Sequence, residues 1–440
     1  MGMKWKYFRI LTLFALIFLS MFLTWQIWTA GDSFGESSQT PSRTDRPSVT
    51  FERAKAHVFG PTQVVVHNGE ELLASTNEMM LTQLEKGLSE WTITGIDNPL
   101  QLSKKSFQEM MERNSGLELV FEGQVPFGLF QKVFSRMPRE YENQTFNRAF
   151  VPFNNNEKVY FYDSVTHMLY ETDIEGLKGE LIQEIAYNEE ADYTEVQGLQ
   201  IKNRNIYLPV DPIEVNYRDY MIERLPNSLF VNLFFRETSE VDVRRSTNVT
   251  RYLDYVSEMR INEDTSILTY RKQQSSQKNT NLSGTLEQGF NELTRFEKWT
   301  EEIHFHNYNP ETGNVTFRRY LGGWPVFGYF DYGEVQVRSE KEDLTYLRMP
   351  LEVVRTPIAQ VEDSQKVTLA SGAQVIAQLE AAGISLNTIE NIRIGLDWQP
   401  SEESSQVVRF SPNWYILEQG NWIEIDRYVA RQRGGKSNGL

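Results

Sequence analysis

The pattern of hydrophobic and polar positions changes sharply after the first thirty residues. Residues 10–31 carry no charged side chain, whereas Lys4, Lys6 and Arg9 precede them. At about 1.5 Å per residue this run forms a helix of about 33 Å, long enough to cross the hydrocarbon core of a bilayer. The pattern therefore predicts a cytoplasmic tail over residues 1–9 and a transmembrane helix over residues 10–30. The preceding cations place the N-terminus in the cytoplasm.

A cleaved signal peptide is the alternative interpretation of the same segment. Cleavage after Ala30 would need a small residue where Trp28 stands, and the apolar run is long for a signal. We therefore expect an uncleaved anchor in the cell membrane. The protein would cross the membrane once, with residues 31–440 on the extracytoplasmic side.

The chain beyond the anchor divides by its pattern into five segments. Residues 31–50 are rich in Ser, Thr, Pro and Asp and lack periodicity, which is typical of a flexible tether. We predict an N-terminal α+β domain over 51–200, a central α+β domain over 201–300 and a C-terminal β-rich α+β domain over 301–430. Residues 431–440 are predicted to be a disordered basic tail.

Helical spacing and strand alternation are mixed along residues 51–430. Apolar residues at helical spacing predict helices over 77–91, after Ser103, around 227–235, over 286–299 and from Ser371 to Gly383. Predicted strands include 63–67, 91–96, 146–153, 158–162, 205–210, 251–260, 265–271, 303–308, 314–321, 392–398, 407–410, 414–417 and 421–425. Because no regular βαβ order appears, we predict an α+β fold with mainly antiparallel sheets and packed helices.

The charge and cysteine content exclude several classes of function. The 440 residues include 44 Lys and Arg, 60 Asp and Glu, five His and no Cys, for a formal net charge of −16. Three of the basic residues precede the anchor, so residues 31–440 carry 41 − 60 = −19. Disulfides, thiolate metal sites and a cysteine nucleophile are impossible. A strongly acidic chain also argues against binding to nucleic acid.

Candidate catalytic and metal motifs are weak. Residues 31–35 match G-x-S-x-G but lie in the tether without a flanking strand, so we interpret the match as coincidence. His304 and His306 share one face of a predicted strand near Glu301 and Glu302, yet no metal-ligand spacing is recognisable. We expect exposed strand histidines there, and His57, His67 and His167 to be isolated.

The glycine-rich stretch at residues 322–328 lacks the Lys and Ser or Thr of a phosphate loop. We interpret it as a tight turn between strands with a buried Trp and Phe. Carboxylate pairs such as 189–190 and 301–302 are common in an acidic chain and single out no catalytic dyad. We therefore predict no catalytic residue, no metal and no cofactor, and expect that the protein is not an enzyme.

The predicted anchor has polar positions on one face. Ser20 and Thr24 are four residues apart, so they lie on the same side of a helix. Small polar side chains often join membrane helices, although a lone anchor also tolerates them near its wet end. The candidate interaction residues on the helix are Leu13, Leu16, Ile17, Ser20 and Thr24.

Three stretches of the chain resemble the YycH (WalH) family of Gram-positive bacteria. They are Tyr-Leu-Gly-Gly-Trp-Pro-Val-Phe-Gly at 320–328, Leu-Arg-Met-Pro-Leu at 347–351, and Pro-Asn-Trp-Tyr at 412–415 followed by Gly-Asn-Trp at 420–422. The residues that carry the likeness are Gly323, Pro325, Val326, Phe327, Gly328, Pro350, Pro412, Trp414 and Trp422. The first and last stretches are also similar to the companion protein YycI.

The resemblance implies a regulator. Members of this family associate with YycI and with the essential sensor histidine kinase WalK (YycG), which controls cell-wall metabolism. The family's regulatory contact is attributed largely to the membrane helices, and the sign of regulation differs between genera. The resemblance supplies no catalytic residues. The alternative is an anchored extracytoplasmic module that binds a cell-wall fragment or a peptide.

Overall fold

The computed structural model describes residues 55–437, apart from short gaps at 70, 131–132, 135, 155–156, 177–178, 189–190, 203, 236, 274–280, 341–342, 359–365 and 402–403. The predicted tail, membrane helix and tether, with Leu13, Leu16, Ile17, Ser20 and Thr24, lie outside the described residues, as do the G-x-S-x-G match and the 189–190 pair. None of the helices in the described part has the length and apolar character needed to span a bilayer.

The first half of the described chain forms one large antiparallel sheet, sheet I. Its order is β10-β9-β2-β1-β5-β6-β7-β8-β3, with β4 paired to β8. The strands are β1 Gln63–Asn68, β2 Glu71–Ser75, β3 Thr92–Ile96, β4 Leu100–Gln101, β5 Gly116–Pro126, β6 Thr145–Pro152, β7 Lys158–Asp163, β8 Met168–Glu175, β9 Thr194–Ile201 and β10 Arg204–Pro209.

The second half contributes two further sheets and a ribbon. Sheet II has the order β13-β14-β15-β16-β21-β20-β18-β17 with β19 on β18, sheet III has β22-β12-β25-β24 with β26 on β25, and β11 pairs with β23. The strands are β11 Ile213–Asn216, β12 Arg218–Arg224, β13 Asp242–Arg245, β14 Val249–Leu253, β15 Ser257–Asn262, β16 Ile267–Lys272, β17 Ile303–Asn309, β18 Asn314–Leu321, β19 Trp324–Pro325, β20 Glu334–Glu340, β21 Asp343–Pro350, β22 Glu352–Pro357, β23 Lys366–Leu369, β24 Asn391–Pro400, β25 Val407–Glu418 and β26 Asn421–Glu424.

The helices begin and end where local sequence signals place them. Within the described residues they are α1 Glu78–Ser89, α2 Lys104–Arg113, α3 Gly179–Ala186, α4 Asn227–Phe234, α5 Leu282–Phe296, α6 Gly372–Ala381 and α7 Ile425–Ser437. Ser103 caps α2 by accepting from the Ser106 amide, and Ser371 with Gln374 forms a capping box on α6. These two predicted N-termini are confirmed.

The mixed α+β architecture with antiparallel sheets is confirmed, and the structure departs from the pattern in several places. The strand predicted over 251–260 is a hairpin, because the Asp254 carboxylate accepts from the Val256 and Ser257 amides and turns the chain. Sheet II joins β16 to β21, so a continuous sheet crosses the boundary predicted at residue 300. The segment predicted as a tail is helical as far as Ser437, as part of α7.

Strand β24 is buried on both faces, although its alternation predicted a half-buried strand. Ile392 and Ile394 belong to a hydrophobic cluster that includes α6 and α7 side chains. On the other face, a Cβ at Gly395 would lie 2.3 Å from the Phe327 ring, so the glycine-rich turn packs directly on the strand. The hydrophobic alternation of a single strand does not indicate that a segment distant in sequence packs on its other face.

Candidate functional site

Two interrupted strands meet where the two halves of the described chain join. The pairing of β5 with β6 shifts between Val120 and Val125, and that of β17 with β18 shifts between Phe305 and Asn307. Strand β17 packs against β5, and a Cβ at Gly123 would lie only 2.6 Å from the Phe305 ring. Irregularities of this kind redirect side chains out of the ladder. Here they bring charged groups from both halves together.

Glu122 lies at the centre of this junction. Its buried carboxylate forms an ion pair with Arg393 of β24 and accepts from the Thr62 hydroxyl at 3.0 Å. Arg204 donates to the Glu122 backbone carbonyl at 3.3 Å. Burial opposes the charged carboxylate, but the positive charge of Arg393 outweighs it and holds the pKa of Glu122 far below its usual range. Glu122 is therefore a fixed anion and not a proton carrier near neutral pH.

His306 is held as a neutral ring beside Glu122. Trp422 donates its indole N–H to Nε2 of His306 at 3.3 Å, and Nδ1 lies 3.6 Å from the Glu122 carboxylate. Because an indole only donates, Nε2 must be the acceptor and the ring proton faces Glu122. Burial, reinforced by the positive charge of Arg318, lowers the pKa of His306 to about 3.

The glycine-rich turn follows β18 and reaches both halves of the chain. The Gly323 amide donates to Glu78 Oε1 at 3.1 Å, and a Cβ at Gly323 would lie 2.0 Å from the Thr76 carbonyl. Pro325 pairs with Tyr320 in the β18–β19 hairpin. The structure therefore places this turn against the segment between β2 and α1.

The remainder of the turn packs on sheet III. Val326 bridges to Leu396, and the Phe327 amide donates to the Leu396 carbonyl at 2.8 Å. The Phe327 ring contacts the rings of Tyr415 and Trp422, with centroids 4.5 and 4.8 Å away. Gly328 allows a close approach, because a Cβ there would lie 3.0 Å from Trp398.

The other resemblance residues have separate packing contacts. The Pro350 carbonyl accepts from Arg319 at 3.3 Å, and Pro412 pairs with Leu396 between β25 and β24. Trp414 is buried and donates its indole N–H to the Ala370 carbonyl at 3.0 Å. The turn, β24, β25 and β26 thus form one packed unit, whereas Pro350 lies beside Arg319.

A second cluster, called here the histidine cluster, consists of His57, Glu302 and His304 with Glu78 and Glu85 beside them. His57 Nε2 lies 3.4 Å from Glu302 Oε1, and His304 Nε2 lies 3.8 Å from Glu302 Oε2. His57 Nδ1 lies 3.4 Å from Glu85 Oε2. One ligand atom each from His57, Glu302 and His304 fall within 4.8 Å of one another, which is compatible with a shared metal ion.

The histidines differ from the sequence expectation. The prediction that His304 is exposed is wrong, since only 2% of the residue is accessible. His304 contacts His57 and Tyr320, whereas His306 contacts Trp422, so the two residues do not act as a pair. His57 was expected to be isolated. Its partners Glu302 and His304 are about 245 positions away, and no spacing along the chain could have indicated them.

A cleft of about 530 Å³ lies between sheet I and the second half of the chain. Both charge signs and two indole rings line it, which suits a polar ligand. Its lining includes Thr76, Glu78, Glu122, Arg148, Arg204, Asn216, Arg218, Trp324, Arg393 and Trp414.

Comparisons with known proteins assign the chain to a family. A model of the YycH protein N-terminal domain matches residues 6–191, and one of the YycH protein C-terminal domain matches residues 203–433. The two-component system WalR/WalK regulatory protein YycH of Bacillus subtilis (strain 168) is 22% identical over 465 aligned positions, covering 99% of each chain.

A solved structure has the same fold. The crystal structure of YycH from Bacillus subtilis superposes with a TM-score of 0.69 at 18% identity, covering 84% of this chain and 96% of that one. None of these descriptions names an enzymatic activity. The two family models together span most of the sequence, and the chain belongs to the YycH family.

Proposed function

We propose that this protein is a membrane-anchored accessory regulator of a WalK-type sensor histidine kinase, acting with a YycI-like membrane protein. The observation that carries the proposal is the end-to-end match to the WalR/WalK regulatory protein YycH of Bacillus subtilis, which covers 99% of both chains. The N-terminal family model begins at residue 6, so the match includes the apolar run over residues 10–30.

The proposed effector is the membrane helix. A sensor kinase signals through small shifts of its membrane helices, and a bound helix biases such a shift only if it contacts one state better than the other. A coupling of about 1–3 kcal/mol changes an affinity roughly 5–150-fold. Such a bias needs few contacts, and the face bearing Leu13, Leu16, Ile17, Ser20 and Thr24 supplies them.

The proposed location of residues 31–440 is the extracytoplasmic side of the cell membrane. Three cations precede the apolar run and the next basic residue is Arg43, an asymmetry that favours a cytoplasmic N-terminus. The extracytoplasmic region would then carry the formal charge of −19. Such a charge favours solubility and repels anionic headgroups, which keeps this region off the membrane surface.

Co-purification from membranes tests this function. Three proteins are each expressed with a tagged WalK-type kinase. The first is the full chain, the second has residues 10–30 replaced by an unrelated membrane helix, and the third lacks residues 31–440. We expect the kinase to retain the first and third proteins and to lose most of the second. Equal retention of the helix-replaced protein would contradict a role for this helix.

The cleft supports a second candidate function, the binding of a polar cell-wall fragment or peptide. Its size is within the range of ligand sites, and Trp324 and Trp414 line it beside arginines. Thermal unfolding with muropeptides and peptides would test this. Asn216→Trp, which narrows the cleft from β11, should abolish a ligand-induced rise in Tm. Met221→Trp, at an exposed position of β12 that does not line the cleft, should leave the rise unchanged.

A further inference from the structure

The histidine cluster places lone pairs against carboxylates. His57 Nδ1 faces Glu85 and His57 Nε2 faces Glu302, each at 3.4 Å. A neutral imidazole has a single N–H, so one nitrogen directs its lone pair at a carboxylate oxygen whichever tautomer forms. That arrangement is repulsive unless a second proton or a metal cation lies between the two groups.

His304 also faces a carboxylate without a hydrogen bond, and it is more deeply buried than His57. Its side chain is 3% exposed, and its Nε2 is 3.8 Å from Glu302 Oε2, beyond hydrogen-bond distance. Within the described residues, His304 Nδ1 and Glu302 Oε2 are both buried without a hydrogen-bond partner. Buried polar atoms without partners are costly, and a cation between His304 Nε2 and Glu302 Oε2 would satisfy the carboxylate oxygen.

Negative charge accumulates around the two rings. Glu78, Glu85 and Glu302 contribute three carboxylates, and Arg218 is the cation whose charge acts on Glu78. The crowded carboxylates therefore favour a cation at their centre.

The spacing suits a tetrahedral metal ion. With bonds of about 2.0–2.2 Å to nitrogen and oxygen, tetrahedral Zn²⁺ separates its ligand atoms by about 3.3–3.6 Å. His57 Nε2 lies 3.4 Å from Glu302 Oε1 and His304 Nε2 lies 3.8 Å from Glu302 Oε2. One ligand atom from each of the three residues falls within 4.8 Å of the others, so a bound ion would draw them slightly closer together. Two imidazoles with a carboxylate favour Zn²⁺ over Ca²⁺ or Mg²⁺, which prefer oxygen ligands.

We propose that His57, His304 and Glu302 bind Zn²⁺, with Glu78 beside the fourth position and Glu85 orienting the His57 ring. The 29% exposure of the His57 side chain leaves a path for the ion. His57 precedes sheet I, whereas Glu302 and His304 belong to the second half, so the ion ties the two halves together. The Gly323 amide on Glu78 extends this link to the glycine-rich turn. This site does not depend on the proposed regulatory function.

Metal analysis of the full chain tests the proposal. The protein is purified in detergent with a histidine-free tag, stripped with a chelator, and titrated with ZnCl₂ against a chromophoric chelator. We expect one Zn²⁺ per chain, a rise in Tm on binding, and an intense visible absorption with Co²⁺ that indicates a four-coordinate site.

Variants assign the ligands. His57→Gln, His304→Gln and Glu302→Gln should each weaken Zn²⁺ at least about tenfold, the lower end of what losing a supporting residue alone costs. Glu301→Gln and His167→Gln, which lie outside the cluster, should bind Zn²⁺ as the unmodified protein does. His57→Gln is decisive, because its side chain is 29% exposed and its replacement disturbs packing less than a change at the buried His304. Unchanged affinity in His57→Gln, or less than one Zn²⁺ per folded chain, would overturn the proposal.

Discussion

The Arg319 guanidinium donates two hydrogen bonds of 3.0 Å to the Glu297 carboxylate in the interior of the second half of the described chain. Arg319 is fully buried. Its Nη1 donates to the Glu352 carbonyl at 2.8 Å, and Nη2, which makes both contacts with Glu297, also reaches the Pro350 carbonyl at 3.3 Å. The guanidinium also lies 4.7 Å from the Trp299 ring centroid. The Arg319 side chain, which projects from β18, therefore links the end of α5 to β21 and β22.

Arg319→Leu should destabilise the protein strongly. The substitution leaves the Glu297 carboxylate, which is 5% exposed, without its partner, and breaking a buried pair in this way costs about 3–5 kcal/mol. The free energy of unfolding in urea measures the effect. Arg355→Leu removes an exposed pair with Glu223 and should cost about 0–1 kcal/mol. Equal losses in the two variants would show that the buried pair has no special role.

Gly323→Ala should weaken the contact between the two halves. Gly323 has φ +77°, and a methyl group there would lie 2.0 Å from the Thr76 backbone carbonyl. Gly420→Ala is the matched control, because Gly420 has φ +75° and nothing lies within 4 Å of its Cβ position. Both variants bear the left-handed strain of about 1–2 kcal/mol. In chemical unfolding, Gly323→Ala should lower the free energy of unfolding by more than Gly420→Ala does. Equal decreases in the two variants would contradict the packing of the turn on Thr76.

Acid should destabilise sheet I through Glu118. Its fully buried carboxylate contacts Arg148 Nε at 3.1 Å and His67 Nε2 at 2.9 Å. Although burial opposes ionisation, His67 and Arg148 lower the pKa of Glu118 below its ordinary value of 4.5. The unfolded chain therefore takes up a proton at a higher pH than the folded one. Stability from this group is present above pH 4.5 and is lost as the pH falls further.

Unfolding free energies measured from pH 7 to pH 3 test this account. Glu118→Gln should be less stable at pH 7 by about 3–5 kcal/mol, since Arg148 loses its partner, and its acid dependence should be shallower. Glu184→Gln, an exposed change on α3, controls for the loss of one negative charge. An acid dependence equally steep in Glu118→Gln and the unmodified protein would contradict the assignment.

Ser20→Leu combined with Thr24→Leu should weaken association with the kinase. Hydrogen bonds between membrane helices average about 0.6 kcal/mol each, so the pair accounts for a weakening of up to roughly tenfold. Phe18→Leu with Phe22→Leu is the matched control, since the same spacing places these residues on the opposite face of the proposed helix. Retention of the kinase in membrane pull-downs measures the effect. Unchanged retention of the first variant would refute a polar contact by these residues.

Local patterns predicted the elements of this fold better than its contacts. Ser103 and Ser371 indicated helix starts because capping depends on three or four neighbouring residues. The turn after Asp254 was missed because an apolar-polar pattern continues through it. The pairing of β16 with β21 joins residues about 80 positions apart, and nothing in either strand's own pattern specifies that partner.

The candidate sites depended on contacts of this distant kind. The Gly323 turn was recognisable from its composition, yet its contacts with Thr76 and Glu78 join positions about 245 apart. His57 had no signal of its own, because the proposed metal ligands come from distant elements of the chain and share no spacing in the sequence. Likewise, the shift in pairing register between Phe305 and Asn307 separates His304 from His306, which a regular strand would place on the same face.

The most direct test of the regulatory account compares two proteins in cells that carry a transcriptional reporter of the WalK pathway. One keeps residues 1–30 and lacks the rest, and the other keeps residues 31–440 but has an unrelated membrane helix in place of residues 10–30. The account predicts that the first shifts reporter output relative to cells without the protein and that the second does not. A shift produced only by the second protein would contradict it and assign the regulatory activity to residues 31–440.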